Sequence, residues 1–437
     1  MDSSNSVKLD IINNASSRVS GSPDEVGALA RRNVEMLATR FKKYDGRWFA
    51  SYNGISLYSL LQPIVSYSHQ HFVGVEALVR GEDSNGSTIM PSELFKPDEV
   101  MEGELRLLER LSRLLHIASF KECEGFEGWL FINLSPQLLS IEEDAEDLAA
   151  ALQWAGVAPE RVIVEVTEQA TYEPNGLVEA VARYRALGCQ IAIDDFGAGH
   201  SNFERIWSLQ PDIVKLDRNM VLRANNDACI GQMLPRLVEL IHQSGALVLA
   251  EGIETVEQSL MIWDSGADMA QGYLFGFPRT ELPDSEHLAL QLANLSNQSH
   301  RQWNRDCERR RRLFDMFNHH INQTLQGLKA NRALRESCRS LLRLSRVRRC
   351  FVLDEHGRQL FQENASRCTS HISPLSETKS CNWGRRPYFR VAVENKDRIH
   401  ISKPYLSVSD GNVCQTLSIY YRCGQGARVL CCDIDPD

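Results

Sequence analysis

A chain of 437 residues with 43% hydrophobic and 24% charged residues has the balance of an ordinary globular protein, and its length suits two or three domains with full cores. A formal net charge of −9 argues against a general nucleic-acid binder, because phosphate backbones demand a basic surface. No run approaches eighteen uninterrupted apolar residues, and MDSSNSVKLD lacks a charged-then-apolar leader, so the expected location is the cytoplasm with no membrane contact.

Residues 1–22, rich in Ser and Asn, carry no periodic apolar pattern and are read as a tail. From Pro23 to about Lys43, Val26, Leu29, Val34, Leu37 and Phe41 recur at helical spacing, which predicts an amphipathic helix. Residues 1–50 are therefore set apart as tail and helix. Over 51–295 short apolar runs alternate with longer amphipathic segments, the pattern of strands joined by helices. The expected strands are Leu57–Val65, Phe72–Arg80, Leu130–Asn133, Val162–Val166, Gln190–Ile193, Ile213–Leu216, Leu247–Ala250 and Met269–Gly272. Eight such units fit an α/β fold of the TIM-like (β/α)8 barrel type, and the short turn between the first two makes one strand antiparallel.

Polar residues fall where these strands end. Asp194 and Asp195 follow Gln190–Ile193, and two adjacent carboxylates repel unless divalent cations sit between them, as in two-metal sites with ions about 3.5–4 Å apart. Taken alone, Asp194 reads more readily as a helix cap and Lys215 as an ordinary ion-pair partner. The other strand ends change that reading. Glu76 lies within the second run, Asn133 ends the third, Glu165 with Glu168 the fourth, Lys215 the sixth, Glu251 with Glu254 the seventh and Gln271 the eighth. A barrel gathers such positions on one rim, and a set of oxygen ligands without His or Cys suits Mg²⁺ or Mn²⁺ better than zinc.

The segments EALVR, NLS, EVTE, DDFGAG, VKLD, AEGIET and QGYLFGFP, in this order, resemble the EAL family of cyclic di-GMP phosphodiesterases over roughly residues 56–283. The resemblance implies hydrolysis of cyclic di-GMP to linear pGpG with two Mg²⁺ or Mn²⁺ ions per barrel. It places Glu76, Asn133, Glu165 and Asp194 on one ion, and Asp194, Asp195 and Glu251 on the other. By the same resemblance Lys215 orients or activates the water, Glu168 braces the DDFGAG loop, and Glu254 supports Glu251. Gln62, Arg80 and Gln271 become substrate-site residues, Arg80 on a phosphate. Ala198 and His200 stand where the family more often has Thr and Tyr, and Lys96 and Asp98 depart from the pattern that usually follows EALVR. The alternative is a barrel that binds cyclic di-GMP as a receptor without cutting it. Completeness of the acids and the lysine favours catalysis.

Residues 296–349 are read as an arginine-rich helical linker, after a helix over 286–298 and extending from about 300. It serves either as a solvated connection or as a docking face for nucleic acid or a partner, and with the barrel it is the expected homodimer contact. From residue 350 to 437 alternating runs predict a small α+β domain in which CFVLDEHGRQLF is a strand pair and TLSIYYRCGQGARVLCCDID a closing hairpin. Its CNWGRRPYF and KPYLS segments resemble PAS/Cache-type sensor domains. That resemblance makes Trp383, Arg386, Tyr388 and Tyr405 candidates for a small-molecule regulatory pocket; core and dimer contacts are the other reading. Eight of the 12 cysteines lie beyond residue 330, and without a paired CxxC they are expected as buried thiols rather than zinc ligands.

Overall fold

The computed structural model describes residues 23–95, 102–123, 125–135, 144–167, 174–199, 203–365, 381–396 and 398–436. The chain divides into two compact units between Arg301 and Gln302. In the first, eight strands close into a barrel: β1 (Ile55–Ser66), β2 (His71–Glu82), β3 (Trp129–Leu134), β4 (Val162–Thr167), β5 (Gln190–Phe196), β6 (Ile213–Leu216), β7 (Leu247–Ala250) and β8 (Met269–Gln271). Neighbours follow chain order and β8 returns to β1. A tight turn joins β1 to β2, with the Gln70 amide donating to the Ser66 carbonyl at 2.9 Å. β1 is therefore antiparallel to both β2 and β8, while every other neighbouring pair is parallel. All eight expected strands and the single reversed one are present.

What places the polar residues is the two-residue period of a strand. Ile64, Phe131, Ile163, Ala192, Ile213, Leu249 and Met269 pack together inside the barrel, each almost fully buried. Each stands two residues from a polar side chain on its own strand or at its end: Gln62, Asn133, Glu165, Asp194, Lys215, Glu251 and Gln271. Residues i and i+2 share a face, so a polar layer rests directly on an apolar one. On β2 the residue two before Glu76 is Gly74, where a Cβ would lie 2.9 Å from the Phe131 ring. The ring occupies the space that glycine leaves.

The N-terminal helix is Pro23–Ala38 and stops short of the expected Lys43. Phe41 instead opens a hairpin, Phe41–Tyr44 with Arg47–Tyr52, whose second strand pairs antiparallel with β1. Its two-residue turn is Asp45-Gly46, both at positive φ (49° and 76°), a hairpin signal that counting apolar residues at helical spacing passes over.

The two helices expected over 286–298 and 300–349 are one helix, Ser285–Lys329. Asn331, in the left-handed region at φ 58°, follows its end. Arg348 and Arg349, read as helical, lie instead on a strand of the second unit. That unit's antiparallel strands are β9 (Val347–Asp354), β10 (Gln359–Asn364), β11 (His400–Ile401), β12 (Tyr405–Leu406), β13 (Val413–Cys423) and β14 (Gly426–Ile434). The main path runs β10-β9-β14-β13-β11, with β12 on β13.

One face of this sheet, with Cys350, Val352, Leu417, Leu430 and Cys432, packs with Phe317, Ile321 and Leu325 of the long helix. The other, with Phe351, Leu353, Val429 and Cys431, packs with Tyr388, Phe389 and Ala392 of the helix Pro387–Glu394. Strand alternation sends the consecutive Cys431 and Cys432 to opposite cores, where both act as small apolar residues. No described helix is long and apolar enough to cross a membrane.

Candidate active site

Across the mouth of the barrel the polar layer forms one connected network. Lys215, 1% exposed, extends its ammonium to Glu165 Oε1 at 2.5 Å, Glu251 Oε1 at 2.7 Å, Asp194 Oδ1 at 3.1 Å and Glu76 Oε1 at 3.8 Å. Two amides fix the Glu76 carboxylate. Asn133 Nδ2 donates to its Oε1 at 3.0 Å, and Gln271 Nε2 donates to its Oε2 at 2.6 Å. Gln271 Nε2 also reaches Gln62 Oε1 at 3.1 Å, and Gln62 Nε2 donates to the Gly276 carbonyl at 3.2 Å. Strand pairing sets these neighbours, since Gln62 stands opposite Glu76 and Asn133 opposite Glu165.

Successive residues of a regular strand point to opposite faces, yet Asp194 and Asp195 line the same cavity. The pairing register between β5 and β6 shifts between Ile193 and Phe196, a bulge, and Asp195 adopts φ 58°. This local twist turns the second carboxylate toward the first. Asp194, Asp195 and Glu251 each offer an oxygen, and the three atoms lie within 4.8 Å of one another. The cavity, about 320 Å³, is also lined by Gln62, Glu76, Gln271, Arg218, Gly252, Glu254, Gly272 and Tyr273.

Burial governs the charges here. It pushes the Glu165 carboxyl well above its usual range, with Glu76 and Asp194 pushing the same way against the pull of Lys215. Burial likewise raises Glu251 to about 8, while Lys215 opposes and Asp194 reinforces the rise. Asp195 is raised by burial and then by Asp194. For Lys215 burial acts downward, but Asp194, Glu165, Glu251 and Glu76 override it and hold the ammonium protonated.

The donor set fits hard divalent cations. Both Glu165 oxygens are sealed from solvent; Oε1 meets the Lys215 ammonium at 2.5 Å, and Oε2 has no hydrogen-bond partner among the described residues. A buried carboxylate oxygen in that condition, beside a three-oxygen cluster from Asp194, Asp195 and Glu251, suits a hard divalent cation such as Mg²⁺ or Mn²⁺.

Of the residues singled out in the sequence, Gln62, Glu76, Asn133, Glu165, Asp194, Asp195, Lys215, Glu251 and Gln271 thus meet at one mouth. Glu254 lines the same cavity, with its carboxylate 2.7 Å from Arg218 rather than on Glu251. Arg80 lies further along β2, its guanidinium donating to the Val79 carbonyl at 2.8 Å, outside the described lining of the cavity. Glu168, Lys96, Asp98 and His200 lie outside the described residues. Arg218, Gly252 and Tyr273 were not singled out, yet each follows a strand-end residue by one to three positions. Carrying the strand-end search slightly further into the loops reaches them.

In the second unit Arg386 stands over the rings of Trp383 (5.9 Å) and Tyr405 (5.6 Å), and Tyr405 stacks on Tyr388 at 5.9 Å. Trp383 Nε1 donates to Gln359 at 2.9 Å and the Tyr405 hydroxyl meets Thr416 at 2.6 Å. The four candidates form one cluster, of which Tyr388 is a core member.

Comparison with known proteins identifies the family of the barrel. Among curated relatives, the probable cyclic di-GMP phosphodiesterase PdeB of Escherichia coli is 30% identical over 221 residues, covering 49% of this chain and 41% of that protein. The cyclic di-GMP phosphodiesterase RocR of Pseudomonas aeruginosa is 33% identical over 153 residues, 35% of this chain and 39% of that protein. The chain thus spans less than half the length of these relatives. Among solved structures, the Bacillus subtilis YkuI protein, with an EAL domain and in complex with cyclic di-GMP and calcium, superposes with a TM-score of 0.75 at 22% identity. That match covers 87% of this chain and 96% of the other, so the fold is shared through both units. The EAL domain model matches residues 53–278, more than half of the sequence and the whole of the barrel, and the chain belongs to the EAL domain family.

Proposed function

We propose that the barrel hydrolyses one phosphodiester bond of cyclic di-GMP to give linear pGpG, using two Mg²⁺ or Mn²⁺ ions. The observation that carries this reading is the layer of eight polar residues on or at the ends of the barrel strands, Gln62, Glu76, Asn133, Glu165, Asp194, Lys215, Glu251 and Gln271, meeting over one apolar floor. Glu76, Asn133, Glu165 and Asp194 would hold one ion, and Asp194, Asp195 and Glu251 the other. Bound there, the ions supply positive charge for the attacked phosphate and acidify a water at neutral pH.

The rest falls to the chain. Gln271 and Asn133 donate to Glu76 and fix the direction of its lone pairs. Lys215, kept protonated by its carboxylates, acts as a donor that orients the attacking water rather than as a base. The apolar layer below excludes solvent, so each charge at the mouth acts in a low-dielectric setting. The C-terminal unit, with Arg386 between Trp383 and Tyr405, is assigned a regulatory role as a PAS/Cache-type sensor, and the barrels are assigned to a homodimer.

Chromatography of cyclic di-GMP incubated with the full chain and Mg²⁺ tests the central claim, with Asp194→Asn as control. Conversion to pGpG by the wild type alone supports it. Binding without conversion by both proteins transfers the barrel to a receptor role.

A further inference from the structure

Among the described residues lining the cavity, Glu76, Asp194, Asp195, Glu251 and Glu254 are acids, and Arg218 is the cation. A cyclic dinucleotide carries two phosphodiesters. Only one can lie at the site of hydrolysis, and the other brings a second negative charge into an acid-lined mouth. Lys215 is committed to four carboxylates beneath, and Arg80 donates to a backbone carbonyl away from the lining. We propose that Arg218 binds the uncut phosphodiester, and so sets affinity for a doubly charged cyclic dinucleotide. This rests on the reading of the barrel as a cyclic di-GMP site.

Three features distinguish Arg218 from a solvated surface charge. It opens the helix Arg218–Asn226, whose start is fixed by Asp217 accepting the Asn219 amide at 2.9 Å. Its methylene stem lies against Gly252, where a Cβ would come within 2.3 Å of Arg218 Cγ and 2.6 Å of its Cβ. Gly252, at φ 66° and next to Glu251, thus provides a flat bed on which the arginine is aimed into the mouth. The guanidinium meets Glu254 at 2.7 Å, with the two side chains 53% and 36% exposed. An ion pair so open to water contributes little and is exchangeable for a phosphate, which a guanidinium grips through two parallel N–H donors.

The test is equilibrium binding of cyclic di-GMP to the full chain in Ca²⁺, for wild type, Arg218→Ala and Arg218→Lys, alongside turnover in Mg²⁺. Arg218→Ala is expected to weaken binding about tenfold, with KM rising in parallel and kcat falling less than KM rises; Arg218→Lys recovers part of the loss. A dissociation constant for Arg218→Ala within twofold of wild type overturns the proposal. So does a loss matched by a fall in Tm that Arg218→Lys does not relieve, which marks the arginine as structural. The binding arm decides Arg218 even if wild type does not cut the nucleotide, an outcome that sinks the hydrolase reading alone.

Discussion

The peptide N–H of Asp195 donates to Asp194 Oδ1 at 2.9 Å, and the two acids share one cavity although they are adjacent on a strand. Asp195 achieves this in the left-handed region, where short polar side chains are tolerated and branched ones are not. Asp195→Asn is expected to keep stability within about 1 kcal/mol while reducing turnover at least about a hundredfold. Asp195→Val, equally devoid of charge, should cost a further 1–2 kcal/mol or so from backbone strain. Thermal unfolding beside product chromatography separates the two effects.

Lys215 is the buried counter-charge for Glu165, Glu251, Asp194 and Glu76. Lys215→Met leaves that cluster uncompensated, and removing one partner of a buried ion pair costs about 3–5 kcal/mol. The metal-free variant should therefore melt well below metal-free wild type. Added Mg²⁺ or Mn²⁺ should restore part of the loss, because a divalent cation can stand in electrostatically, but not the turnover. A variant whose Tm matches wild type without metal contradicts this account.

With burial holding Glu251 at about 8, above its ordinary 4.5, the metal-free folded state binds a proton that the unfolded chain has lost across that interval. Stability of the metal-free protein should fall as pH rises from about 4.5 toward 8. Metal affinity runs the other way, since the ion must displace that proton, and should strengthen up to about tenfold per pH unit below 8. Calorimetric titration with Mn²⁺ at several pH values reads the slope, which Glu251→Gln should flatten.

Away from the mouth, Asp144 is fully buried and receives Arg113 through two bonds, 2.5 and 2.7 Å, and the Tyr184 hydroxyl at 2.7 Å. Burial alone would raise its carboxyl, but Arg113 outweighs this and holds it below the usual range. The stabilisation is then complete above the ordinary carboxylate pKa and lost as pH falls through the folded value. Asp144→Ala should cost about 3–5 kcal/mol, and Tyr184→Phe about 1 kcal/mol, in denaturant unfolding at neutral pH. A cost for Asp144→Ala no greater than for Tyr184→Phe would show that the pair does not anchor the helix Glu102–Lys121, which carries Arg113, to the helix Asp144–Ala155.

Period and residue type are written along the chain, and they were sufficient for the barrel. An apolar residue followed two positions later by an acid, an amide or a lysine recurs on strand after strand, and a strand has no other way to place such a pair than on one face. Even the reversed β1 is legible, because the short link between the first two runs leaves no room for a crossover helix. Relations between distant segments were not legible. The Asp194–Asp195 bulge depends on how β5 registers against β6, the bed for Arg218 on how the loop at Gly252 meets the start of the helix Arg218–Asn226, and Gly74 on the ring of Phe131. Arg349, which helical spacing assigned to a linker, pairs with Asp433 at 2.6 Å across the second sheet. Local period fixes which way a side chain faces on its own element. Which partner waits there is decided only when the barrel closes and the sheets pair.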